Sequence, residues 1–171
     1  MEFAPSGKHY PIDQFLLNQV RQLRHKDAKA YDRWQARAGR MLTSMLGTPS
    51  KRKRAIDAKV TRPRPNLVAG DHHLATGPVV GKSTAFAEWL RRSDRKAAAL
   101  EMETAAVFGA VGTQVERTRC LAIRGISDFA DDRKSAVEKA FKGKFRSLSL
   151  TNAVEVFVLL AQLGVFDKVK P

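Results

Sequence analysis

Cysteine occurs once in the 171 residues, as Cys120, so the chain forms no internal disulfide. Standing in an apolar run, it is read as a buried free thiol in a reducing compartment. Apolar runs are short. None approaches the ~20 residues that a bilayer span needs, and the opening MEFAPSGKHY has no apolar centre of the kind a signal peptide carries. A cytoplasmic location without a membrane partner is expected. No internal repeat is present. The neighbouring His72 and His73 have no carboxylate or cysteine partners at ligand spacing, so a strand-edge pair is expected there and no metal or other cofactor.

Acidic residues are also scarce, 17 against 31 Lys and Arg, which leaves a net charge of +14. The imbalance is local: residues 1–66 hold 15 of the bases and 5 of the acids, a net of +10. Such a surface attracts polyanions by counterion release. Yet the run Lys51, Arg52, Lys53, Arg54 has no interleaved aromatics on which bases could stack, and no RNA-binding motif accompanies it. It reads as a solvated linker, and nucleic-acid binding stands as a further alternative. With 43% hydrophobic and 28% charged residues, the chain has the composition of a soluble globular protein able to build one core.

Along the chain, Asp13 precedes Phe15, Leu16, Val20 and Leu23 at helical spacing, which predicts a capped amphipathic helix. A second helix is expected over 28–46, with Tyr31, Trp34, Ala38, Met41, Leu42 and Met45 on one side. Segment 47–65 is rich in proline and charge and is expected to be a linker. Residues 1–65 therefore form one unit, a basic helical segment, and 66–171 another. In the second unit, NLVAGDHHLATG predicts a bent strand or a strand pair, STAFAEWLRRS a helix capped by Ser83, and KAAALEM a short buried strand. ETAAVFGAVGT is helical in pattern, RTRCLAIRGIS reads as a second buried strand, and 148–166 as a long closing helix. Strands alternating with helices imply an α/β fold, a mostly parallel sheet covered on both faces.

Ligand crevices of open α/β sheets lie at the carboxyl ends of the strands. Glu103 follows AAALEM and Asp128 follows LAIRGIS, so two adjacent parallel strands would deliver both carboxylates to one crevice. Each has a plainer reading: Glu103 as a first-turn carboxylate of its helix, Asp128 as an N-cap. Glu101 and Arg124 are expected to form a structural ion pair between neighbouring strands. Trp34 and Trp89 sit at helical positions that suit a core.

The segments LEMETAAV and IRGISDFADDRKS, preceded by HLATGPVVGKSTAF, resemble the C-terminal half of the purine nucleoside phosphorylase and nucleosidase superfamily, over about residues 66–165. The resemblance implies cleavage of the N-glycosidic bond of purine nucleosides, more by hydrolysis than by phosphorolysis. It implies that Glu103 hydrogen-bonds the ribose hydroxyls and that Met102 packs on the sugar. Asp128, presented by Ser127, would protonate or hydrogen-bond N7 of the purine. Gly77, Pro78, Val79 and Val80 would approach the base. The residue types suit the chemistry, because ribose gains positive charge and the base negative charge as the bond breaks.

The strand, Gly-rich turn and further strands with which that family begins are not recognisable before residue 66. The fold implied is thus an incomplete member of the family, with exposed apolar faces that invite a homo-oligomer or a chain supplying the missing half. An inactive nucleoside-sensing or interaction module is the alternative to catalysis.

Overall fold

The computed structural model describes residues 12–57, 64–70, 72–77, 83–112 and 119–167. Helix α1, Gln14–Arg21, begins where expected, with Asp13 Oδ1 accepting the Leu16 amide at 2.9 Å. A short α2, Leu23–Lys26, leads to Asp27, whose Oδ1 accepts the Ala30 amide at 2.8 Å and opens α3, Ala28–Leu46. The buried stripe of α3 is Tyr31, Trp34, Ala38, Leu42 and Leu46, while Met41 and Met45 are half-buried.

The expected linker contains a helix instead. α4, Pro49–Asp57, exposes Lys51, Lys53 and Arg54 of the basic run, turns Arg52 toward Thr43 of α3, and buries Ala55 against Leu42 and Leu46. Two features favour it. Proline suits a first helical position, and the buried Ala55 together with the Arg52–Thr43 bond docks the helix on α3.

The sheet has two described strands, β1 His73–Thr76 and β2 Ala97–Glu101, parallel, with Thr76 opposite Glu101. Helix α5, Thr84–Ser93, lies between them in sequence, a strand, helix, strand order of α/β type. Ser83 stands at its N-terminus without a side-chain cap; the distant Asp132 accepts from Thr84 Oγ1 at 2.6 Å. Helices α6 Thr104–Gly112, α7 Arg133–Phe141 and α8 Lys144–Gln162 complete the elements. α8 starts earlier than expected because Phe145, in its first turn, is anchored in a buried cluster with Leu42, Leu46 and Val137.

Two strand expectations need correction. Residues 64–70 are not strand, and neither is 119–126, although Arg124 of the latter bonds to Glu101 of β2. In that segment Leu121 and Ile123 pack on a helical core, the Cys120 carbonyl accepts from the Asp13 amide, and the Ile126 carbonyl accepts from Ser149 Oγ at 2.7 Å. The segment is thus held at both ends by the helical layer, to which its apolar side chains also turn. Cys120 is half-buried rather than buried. At Gly125 the backbone presses against α8 so closely that a Cβ would collide with the Ser149 carbonyl.

The main core joins Leu16, Val20, Leu23, Tyr31 and Trp34 of the first three helices to Val156, Leu159 and Leu160 of α8. It therefore spans the division expected at residue 65. The strands are only half-buried, since alanine-rich β2 offers little apolar area to bury. Among the described residues no helix is long and apolar enough to cross a membrane.

Candidate functional site at the carboxyl edge

Parallel pairing brings the ends of β1 and β2 to one edge, where the Gly77 amide donates to the Glu101 carbonyl at 3.1 Å. Gly77 and the Met102–Glu103 pair thus meet at the carboxyl ends of the strands. Pro78, Val79 and Val80 lie outside the described residues.

Glu101 is the best-held carboxylate of this edge. Its oxygens accept from the Glu103 amide at 2.8 Å, from the Thr104 amide at 2.9 Å, and from Arg124 Nη2 at 2.6 Å. Burial alone would raise its pKa. The Thr76 hydroxyl, the two backbone amides and the Thr104 hydroxyl overcome that and hold it at about 2. Thr76 Oγ1 also accepts the Ala105 amide at 3.2 Å, so Glu101 and Thr76 together satisfy the leading amides of α6. The expected Glu101–Arg124 ion pair is present.

This arrangement bears on the capping reading of Glu103. Its side chain does not cap α6; Glu101 does that, while the Glu103 carbonyl receives the first helical bond from Ala106 at 3.2 Å. The Glu103 carboxylate is 70% exposed, at 3.6 Å from Arg124 Nη2. Met102 beside it is exposed as well, and so is Ile126 on the neighbouring segment.

Asp128 is not a helix cap either. Its Oδ1 accepts the Ala130 amide at 2.9 Å in a tight turn, and its Oδ2 accepts from Ser127 Oγ at 3.1 Å and lies 3.5 Å from Lys134 Nζ. The turn holds Ala130 at φ 54°, a left-handed conformation that costs a non-glycine residue on the order of 1 kcal/mol. Asp131, three residues on, performs the capping instead: it accepts the Arg133 amide at 3.0 Å and the Arg133 guanidinium at 2.6 and 2.9 Å. Those Arg133 bonds hold the Asp131 carboxyl below its usual range, against the effect of burial.

Ser127 and Asp128 are joined by a hydrogen bond, and Met102 and Glu103 by sequence. Among the described residues no hydrogen bond or ion pair links the two pairs; Arg124, three residues before Ser127, is bound to Glu101 and Thr104 and lies beside Glu103. The cleft beside Asp128, lined also by Ser127, Lys134, Val137, Glu138 and Phe141, has a volume of about 20 Å³, room for about one water. Glu103 does not line it. Sequence reasoning missed the Thr76 and Thr104 hydroxyls and Lys134; of these, Thr104 alone had a local signal, as the first residue of a predicted helix. No three His, Cys, Asp or Glu side chains gather as a metal site among the described residues. Neither a known protein family, nor a curated protein, nor a solved structure matches this chain.

Proposed function

We propose that the carboxyl edge of the parallel pair recognises a purine nucleoside and, in an assembled form, cleaves its N-glycosidic bond. The observation that carries this is the gathering of Gly77, Met102 and Glu103 at one edge, with Arg124 tying the 119–126 segment to it just ahead of Ser127 and Asp128. An exposed carboxylate next to an exposed methionine suits a ribose, whose hydroxyls donate to Glu103 while its carbon face lies on Met102. Developing positive charge on the sugar is stabilised by the Glu103 anion. Asp128 protonates or hydrogen-bonds N7 of the departing purine, which leaves as the neutral base once that nitrogen has gained a proton.

The cleft beside Asp128 is far too small for a nucleoside. The binding volume is therefore completed over the open edge by a second chain. Exposed apolar side chains on one face of α8, namely Leu150, Val154, Phe157 and Val158, support a homo-oligomer or a chain supplying further strands.

A non-catalytic nucleoside-sensing module is the second reading. What favours it is Arg124, which stands within ion-pair distance of Glu103 and offsets the charge that the transition state needs. Chromatographic detection of free adenine or hypoxanthine from a nucleoside panel separates the two. Release abolished by Asp128→Asn and by Glu103→Gln supports catalysis. Binding without release supports the sensor, and release undiminished in both variants excludes these residue roles.

A further inference from the structure

Residues 12–57 carry eleven Lys and Arg against four Asp. Two of those acids act as helix caps, Asp13 on α1 and Asp27 on α3, and the other two, Asp32 and Asp57, are exposed. On α3 the basic residues form a row. With Tyr31, Trp34, Ala38 and Leu42 turned to the core, the opposite face of the helix consists of Lys29, Arg33, Ala36, Arg40 and Ser44, all exposed. From Lys29 to Arg40 the row runs about 16 Å along the axis. Arg37 flanks it and pairs with Glu155 at 2.9 Å, whereas Lys29, Arg33 and Arg40 have no carboxylate within ion-pair distance among the described residues. Like charges three and four residues apart destabilise a helix, so the row weakens α3 unless an anion lies along it. Beside the C-terminal end of the row, α4 exposes Lys51, Lys53 and Arg54.

The kind of anion follows from what this surface lacks. No large apolar side chain of residues 12–57 is exposed. A membrane-surface helix inserts such side chains among the lipid headgroups, and a protein interface is built around apolar and aromatic anchors. The aromatic rings here are Phe15, half-buried, and Tyr31 and Trp34, both buried, so none is presented for stacking on an unpaired base. A partner held through charge alone must carry regularly spaced phosphates on its outside and keep its bases stacked within.

We propose that the outer face of α3 binds the phosphate backbone of a nucleic-acid duplex, without reading its sequence. A row about 16 Å long runs past several phosphates of a duplex, which carries one charge per ~1.7 Å of its axis. The inference is independent of the nucleoside reading, since it uses none of its residues.

Fluorescence anisotropy of short labelled duplexes titrated with the full chain tests it. Two unrelated DNA sequences are expected to bind within about twofold of each other at ~0.15 M salt. Binding of a DNA or an RNA duplex supports the proposal, the tighter of the two identifying the partner. The triple variant Lys29→Gln, Arg33→Gln, Arg40→Gln is expected to weaken binding about tenfold and to flatten the slope of log affinity against log salt by about 3. The triple variant Lys29→Arg, Arg33→Lys, Arg40→Lys keeps every charge and is expected to bind like the parent, so that the first loss is due to charge and not to misfolding. A control, Arg95→Gln, Lys96→Gln, Lys139→Gln, removes as much charge from exposed positions elsewhere and is expected to stay within about threefold of the parent. Absence of duplex binding overturns the proposal. So does an equal loss in the control, full affinity in the first triple variant, or tighter binding to a single strand or to phosphatidylserine vesicles than to either duplex.

Discussion

The guanidinium of Arg124 donates to the carboxylate of Glu101 at 2.6 Å and, with its bond to Thr104 Oγ1 at 2.7 Å, ties a segment with no strand pairing of its own to the carboxyl end of β2. Glu101 is only 9% exposed, so its loss and the loss of its partner differ in consequence. Glu101→Gln removes an acceptor that three separate donors need and is expected to cost about 2–3 kcal/mol. Arg124→Met leaves Glu101 its amide and hydroxyl donors and is expected to cost about 1–2 kcal/mol. Glu103→Gln, at an exposed position, stays within about 0.5 kcal/mol. Urea unfolding of the three variants checks the order.

Acid stability follows from the same carboxylate. The folded pKa of Glu101 is about 2 against an ordinary 4.5, a depressed value. Its contribution is complete above about pH 4.5 and fades as pH falls toward 2, and it amounts to on the order of 3 kcal/mol at most. Asp131, held low by Arg133, acts in the same direction. Thermal unfolding followed from pH 7 down to pH 2 is expected to show a loss below about pH 4.5 that is reduced in Glu101→Gln.

Gly125 has no room for a methyl group. Gly125→Ala drives a Cβ into the Ser149 backbone, and the segment and α8 must separate. A cost of about 1–3 kcal/mol is expected, as for other overpacked sites. Gly77→Ala meets nothing within 4 Å and is the control, expected near neutral in the same melting experiment.

The apolar face of α8 predicts association. Val154 is 50% exposed between Leu150 and Phe157 on one side of the helix. Val154→Lys is expected to lower the apparent mass in sedimentation while leaving the fold intact, because the buried face of α8 runs through Val156, Leu159 and Leu160.

Helices with strong local signals were legible in the sequence: α3 matches its expected limits because Asp27 caps it, Gly47 ends it at φ 79°, and its apolar stripe is unbroken. β2 and α6 were legible for the same reason, a pattern change at Glu101. What escaped was decided by partners far away in sequence. LAIRGIS has the composition of a strand, but Leu121 and Ile123 pack on the helical core and the Ile126 carbonyl accepts from Ser149 of α8. The basic run was read as linker because one buried alanine is a faint signal. At the site, Glu103 and Asp128 both had a capping alternative, and capping instead falls to Glu101 and Asp131, two residues before one and three after the other.

The most direct measurement is calorimetric binding of a non-cleavable purine nucleoside analogue to the assembled chain and to its Glu103→Gln and Asp128→Asn variants. Binding that weakens at least tenfold in each variant is the predicted result. An analogue that does not bind, or binds equally to all three proteins, would contradict a nucleoside site at the carboxyl edge.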